Sequence, residues 1–266
     1  MTRQAQSQVL FKNVDIYDGK GDTLLEGYDL LVEGQRIKEV SDKRISARAA
    51  RVIDGKGKTL MPGLIDAHFH ALAADANLGG LDKLSSYHLA QYARQYLESA
   101  LQRGFTTIRD AGGADFGLAM ASEAGLIRGP RIFYAGRALT QTGGHADFRA
   151  RSEDHPFFCS CGQGTNTFAV IADGVDEVRR AAREELRKGA SQIKIMASGG
   201  VASPSDPIWN LQYSEEEIRA IVWEASSWRT YVMAHAYSSE AIARCVEYGV
   251  RSIEHGNLID ATTARL

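Results

Sequence analysis

With 266 residues, 44% of them apolar and 24% charged, and a formal net charge of -2, the chain has the make-up of a soluble globular protein with ample core material. Basic and acidic residues are interleaved, as in Glu177-Val178-Arg179-Arg180 and Arg183-Glu184-Glu185, which speaks against a phosphate-binding stripe and a nucleic-acid partner. No stretch is apolar for the length of a signal peptide or membrane span, so a cytoplasmic protein with no membrane partner is expected. Of the three cysteines, Cys159, Cys161 and Cys245 cannot all pair, and free thiols are expected, with a metal or redox role for Cys159 and Cys161 as the alternative.

Residues 8 to 60 carry short β-type runs, Val9-Leu10-Phe11, Val14 to Tyr17, Asp29 to Val32 and Arg36 to Val40, separated by turns at Asp18-Gly19, Gly21-Asp22 and Glu33-Gly34. A further turn is expected at Asp54-Gly55-Lys56-Gly57. This predicts a small β module, residues 1–60, followed by a second domain over residues 61–266.

From Leu60 onward strand and helix alternate. The apolar run Leu60-Met61-Pro62-Gly63-Leu64-Ile65 ends in His68 and His70, and residues at i and i+2 of an extended chain point the same way. Ser85 to Arg103 has helical spacing, Phe105 to Arg109 reads as a second strand, and a short helix spans Phe116 to Ala124. Arg131 to Ala135 is a third strand, followed by a long loop from Gly136 to about Asp173 that contains Gly143-Gly144-His145. After a charged helix, Val175 to Lys188, comes a fourth strand, Gln192 to Met196. Ser214 and Glu217 form a capping box for a helix reaching Trp228. Tyr231 to Ala234 leads into His235, a helix covers Ser239 to Tyr248, and Ser252 to Glu254 leads into His255. Asp260 would cap a further helix. Six such units predict an α/β fold, a TIM-like (β/α)8 barrel of which about six units are present, so a fragment of a longer product is expected, with completion by a partner chain the alternative.

In such a barrel the strand ends converge on one mouth, and His68, His70, Lys194, His235 and His255 all lie near strand ends. Lys194 stands out, since Ile193-Lys194-Ile195-Met196 places an amine in a strand buried on both faces. Either its head pairs with a carboxylate such as Asp110, or desolvation keeps it neutral and able to capture carbon dioxide as a carbamate. His145, beyond strand three, is a candidate to hydrogen-bond a carbonyl oxygen as it becomes an oxyanion, the alternative being a loop histidine that fixes its own backbone. Tyr237, two residues past His235, and Arg149 and Arg151 are candidates for contact with a substrate's carboxyl end. Arg109 and Asp110 read as groups that orient ligands.

The motifs PGLIDAHFH, IKIMASGG, AHAYS and SIEHG resemble those of the amidohydrolase superfamily, and TTIRDAGG and GRALTQTGGHAD resemble its branch of metal-dependent prolidases, Xaa-Arg/Lys dipeptidases and, more distantly, imidazolonepropionase. The resemblance implies a barrel preceded by a β-sandwich module. It implies two divalent metal ions, zinc by default, held by His68, His70, His235, His255 and a carboxylated Lys194, with a metal-bridging hydroxide as nucleophile. A dipeptide or N-acyl amino acid substrate follows, Xaa-Pro first, with Xaa-Arg/Lys or a cyclic amide as alternatives, and a homo-oligomer is common in the family. The family's strand-eight aspartate has no counterpart here, Asp260 being too early, so an inactive metal-binding fragment is the non-enzymatic reading.

Overall fold

The computed structural model describes residues 7–73, 78–81, 84–149, 168–202 and 206–266. Two compact units divide the chain, Met1–Gly63 and Leu64–Leu266.

The first unit holds one mixed sheet. Strand β1, Gln8–Ile16, lies between β2, Leu25–Glu33, antiparallel to it, and β4, Arg51–Leu60, parallel to it, and β3, Arg36–Ser41, pairs with β2 to give the order β3-β2-β1-β4. The second sheet of a sandwich is not seen among the described residues. The two apolar runs expected before Tyr17 are one strand, bent at Asn13, which has a φ of 53°. The turn expected at 54–57 is instead a bulge inside β4, where the pairing jumps from Lys12 with Asp54 to Val14 with Lys58. Gly55 is needed there because a Cβ would lie 2.3 Å from Val14 Cγ1. Asp29, buried, accepts from the backbone N–H groups of Asn13 and Ile45 and from Arg44 Nη1, tying the bend in β1 to the connection after β3.

The second unit is built from parallel strands. Strands β5, Leu64–Phe69, β6, Phe105–Asp110, and β7, Arg131–Tyr134, form one sheet in sequence order. A second sheet has the order β12-β11-β10-β8-β9, from β8, Ala138–Thr140, β9, Ala169–Ile171, β10, Ile193–Met196, β11, Val232–Ser238, and β12, Ser252–Leu258. The segment expected to be a loop from Gly136 to Asp173 thus contains two short strands, β8 pairing with both β9 and β10. At three residues each they are too short for a periodicity signal, and only their neighbours select the extended form. Cys159, Cys161 and Arg151 lie outside the described residues. The parallel strands form two sheets and not one continuous ring; side chains of β5 and β12 meet across the interior, His68 reaching Glu254.

Helices α1, Leu78–Leu81, α2, Ser86–Gln102, α3, Phe116–Glu123, α4, Gly174–Arg187, α5, Glu215–Ser227, and α6, Ser239–Glu247, connect the strands. The capping box of Ser214 and Glu217 opens α5. Alternation along the strands separates two environments. Ile193, Ile195, Val232 and Ala234 enter an apolar cluster with Val178, Leu186, Ile218 and Ile221 of α4 and α5, and Phe69, Ile108 and Ile132 enter another with Leu97 and Ala100 of α2. The intervening residues face the interior. Asp260 accepts from the N–H groups of Thr262 and Thr263, capping a single 3-10 turn, Thr263–Arg265. No helix of the described residues is long and apolar enough to cross a membrane.

Replacing Asp29 by Ala leaves two backbone donors and a guanidinium without their acceptor. A loss of about 1–3 kcal/mol is expected, read as a lower urea midpoint, and an unchanged midpoint would show that Asp29 does not hold the bend.

Candidate active site

Residues of five strands, β5, β8, β10, β11 and β12, and of neighbouring loops line one cavity of about 210 Å³ that brings together His68, His70, His145, Lys194, His235, Tyr237 and His255. Phe69 packs outward against Tyr96, so His68 and His70 on either side of it both turn inward. Ile193 and Ile195 do the same for Lys194 and Met196, and Val232 and Ala234 for His235 and Tyr237. Strand β12 departs from alternation. Glu254 and His255 are adjacent, yet both reach His68, Glu254 by a hydrogen bond and His255 with ring centroids 4.7 Å apart. His255 has a φ of 75°, a left-handed backbone that a non-glycine residue rarely adopts, and this turns its ring into the cavity.

The hydrogen bonds assign the imidazole tautomers. His68 Nδ1 is 2.6 Å from Glu254 Oε2, and an ionised carboxylate only accepts, so Nδ1 carries the proton. His70 Nδ1 donates to the Gly112 carbonyl over 2.9 Å. In the neutral form of each ring Nε2 then presents a lone pair, and the two Nε2 atoms face each other 3.2 Å apart. Two lone pairs converging at that distance repel unless a cation lies between them, so the pair suits a metal ion. His235 directs Nε2 to the Gly199 carbonyl at 3.2 Å, leaving Nδ1 as its acceptor nitrogen. With the side chains placed in this way, no group of three or more His, Cys, Asp or Glu among the described residues is spaced to hold one ion.

Lys194 is 1% exposed, and among the described residues no side chain or backbone group hydrogen-bonds or ion-pairs with its amine. Burial lowers its pKa to about 7, with Arg109 pulling the same way and the charges of Glu254 and Asp110 resisting. Asp110 is not its hydrogen-bond partner. That carboxylate, wholly buried, accepts from the N–H groups of Ala71, Gly112 and Ala114 and so joins the loops after β5 and β6, while burial pushes it up to about 7. Burial also lowers His70 to about 3, His235 to about 2 and His255 to about 4, in each case helped by Lys194. At neutral pH these three imidazoles are neutral.

His145 stacks on His235 with ring centroids 4.2 Å apart, at the cavity wall. Its Nδ1 is 3.4 Å from Asp206 without a hydrogen bond between them, and burial lowers its pKa. Gly200 lies against this ring, where a Cβ would come within 2.4 Å of it. Tyr237 meets His235 edge-on and stacks on His255. Arg149 is placed differently from expectation. Its guanidinium closes on the Asp147 carboxylate through Nε at 2.7 Å and Nη2 at 2.5 Å, and it is not among the cavity-lining residues, because an acceptor two positions away holds the fork.

Sequence reading missed Glu254. Burial raises its pKa, but hydrogen bonds from His68 and Ser252 and the charges of Lys194 and Arg109 outweigh that and hold it at about 2. The available signal was an acidic residue inside Ser252-Ile253-Glu254, a strand otherwise read as buried.

Residues 59–264 match the sequence model described as Amidohydrolase family. A crystal structure of an amidohydrolase is 55% identical with a TM-score of 0.93, over 97% of this chain and 63% of the other. That of a prolidase complexed with N-methylphosphonate-L-proline is 52% identical with a TM-score of 0.93 and the same coverage. Ochratoxinase of Aspergillus niger is 37% identical over 219 residues, 76% of this chain and 44% of the enzyme. The chain thus spans less than two thirds of each relative.

In the metal-free protein, His70, His235 and His255 bind protons on unfolding below their ordinary value of 6.5, whereas Asp110 releases one between 3.8 and about 7. Three uptakes exceed one release, so the unfolded chain binds more protons and stability falls as pH drops from 7 to 5. Urea midpoints at the two pH values test this, and equal midpoints would contradict the neutral-imidazole assignment. Gly200→Ala is expected to displace the His145 ring, visible as a shifted His145 resonance in a folded variant.

Proposed function

The chain belongs to the amidohydrolase family, and from that premise we propose that it carries the site of a metal-dependent hydrolase that cleaves the amide bond of Xaa-Pro dipeptides and related N-acyl amino acids. The observation that carries the reading is Lys194, a buried amine with no partner among the described residues, at the cavity where His68, His70, His235 and His255 meet. In neutral form its nitrogen attacks carbon dioxide and loses a proton, giving a carbamate whose two oxygens satisfy the buried position as an anion. His68, His70, His235, His255 and this carbamate would hold two divalent metal ions, zinc by preference for imidazole and carboxylate ligands. When bound, the metals supply activation of water at neutral pH and polarisation of the scissile carbonyl.

The chain's own side chains do the rest. His145 faces the cavity from the β8 side and donates to the substrate's carbonyl oxygen as negative charge develops there. Tyr237 binds the substrate's carboxyl end. Phe148, Phe168, Met196 and Val201 form apolar walls, and no acidic side chain is among the described residues lining the cavity, which favours a prolyl ring over a Lys or Arg side chain.

The test is amino-acid release from an Xaa-Pro panel by the full-length natural protein loaded with Zn²⁺ or Mn²⁺. His68→Ala and Lys194→Ala are each expected to lower kcat/KM by at least about 10³-fold, and a chelator to abolish turnover. Carbon-13 bicarbonate should give a carbamate signal that Lys194→Ala loses. Release that persists in either variant would sink the assignment.

A further inference from the structure

Glu254 does more than fill space beside His68, because its two oxygens are committed to different kinds of partner. Oε1 accepts from Arg109 Nη2 at 2.7 Å and from the Ser252 hydroxyl at 2.6 Å, while Oε2 accepts from His68 Nδ1 at 2.6 Å. Arg109 is itself held in place. Its Nε donates to the Ala67 carbonyl at 2.6 Å, and its Nη1 to Tyr231 and Ser252 at 3.2 Å each, so the guanidinium bridges β5, the residue preceding β11, and β12. Arginine has no acceptor atom, which means that whatever stands at Oε1 must be an acceptor. Ser252 favours the same arrangement, since it accepts from Arg109 and directs its proton at Oε1.

We propose that Glu254, clamped by Arg109 and Ser252, is a positioning residue that locks His68 as the Nδ1–H tautomer and thereby keeps the Nε2 lone pair open toward His70. The inference deepens the metal-site reading and rests on it for its consequence, although the tautomer itself exists without metal. Its strictness lies in what an isosteric amide would do. In Glu254→Gln the clamp requires the carbonyl oxygen at Oε1, so the NH2 group takes the Oε2 position and faces Nδ1. An NH2 group there can only donate. Nδ1 then becomes the acceptor, the imidazole proton moves to Nε2, and that proton points at the His70 Nε2 lone pair 3.2 Å away. The two histidines would bond each other, and the pair would close to a cation. Glu254→Asp, which still only accepts, should keep the original tautomer.

The experiment is nitrogen-15 NMR of the histidine rings in metal-free protein, with Zn²⁺ titration of the same samples. Wild type and Glu254→Asp are expected to show His68 protonated at Nδ1, and Glu254→Gln at Nε2 with Zn²⁺ affinity lower by about 10- to 100-fold. A general structural role would weaken Zn²⁺ binding in both variants without exchanging the protonated nitrogen. A Glu254→Gln protein that keeps Nδ1–H would overturn the proposal. If that variant does not fold, the wild-type spectrum decides: Nδ1–H sustains the lock and Nε2–H overturns it. Wild type with the expected tautomer but no Zn²⁺ binding would instead fault the metal-site reading and leave the lock standing.

Discussion

A buried amine with no hydrogen-bond or ion-pair partner among the described residues lies at the cavity of the second unit. Removing an ammonium from water without compensation costs several kcal/mol, so Lys194 can stay 1% exposed only by giving up its proton or by acquiring a negative charge. Burial likewise keeps His70, His235 and His255 neutral, and hydrogen bonds from His68 and Ser252 hold Glu254 ionised. Each of these groups is thereby kept in the protonation state that a cation-binding site needs. The strand carrying Lys194 can tolerate this because Ile193 and Ile195 are fully buried in the apolar cluster under α4 and α5, anchoring the backbone on the other face.

Around this centre, polar contacts join strands both within a sheet and between the two sheets. Asp110 ties the exits of β5 and β6 through three backbone N–H groups. Arg109 and Glu254 carry the connection from β5 to β12. Apart from the exposed bond of Arg109 to the Ala67 carbonyl, these contacts are buried or half-buried, where hydrogen bonds to charged groups are strongest and an unmet partner is most costly. The outcome is that His68, His70 and His235 are oriented by Glu254 and by the Gly112 and Gly199 carbonyls, leaving their other ring nitrogens for whatever the cavity binds.

Much of this was legible along the chain. The helices from Ser86 to Glu247 follow apolar spacing and caps that act within a few residues, so their positions needed no tertiary information. The inward direction of His68 and His70 follows from alternation about Phe69, and the oddity of Lys194 from its place in an apolar strand. Strands β8 and β9 escaped because three residues carry no period, and the bulge at Gly55 because a glycine-rich turn and a bulge have the same composition. Arg149 reads as a candidate for a substrate carboxylate, but Asp147, two residues earlier, holds its guanidinium.

What the sequence by itself determined is therefore what depends on near neighbours: element order, the face each strand buries, the residue types able to ligate a metal, and through its motifs the amidohydrolase family. The tertiary structure decided what depends on residues far apart in the chain. Glu254 meets His68 across 186 positions, and Arg109 meets Glu254 across 145. Which ring nitrogen carries a proton is set by those distant acceptors and by the depth of burial, and the left-handed backbone that turns His255 inward beside Glu254 is likewise a product of packing. Local periodicity carries no trace of either, because it describes one strand at a time, whereas a tautomer is set by the partner on another.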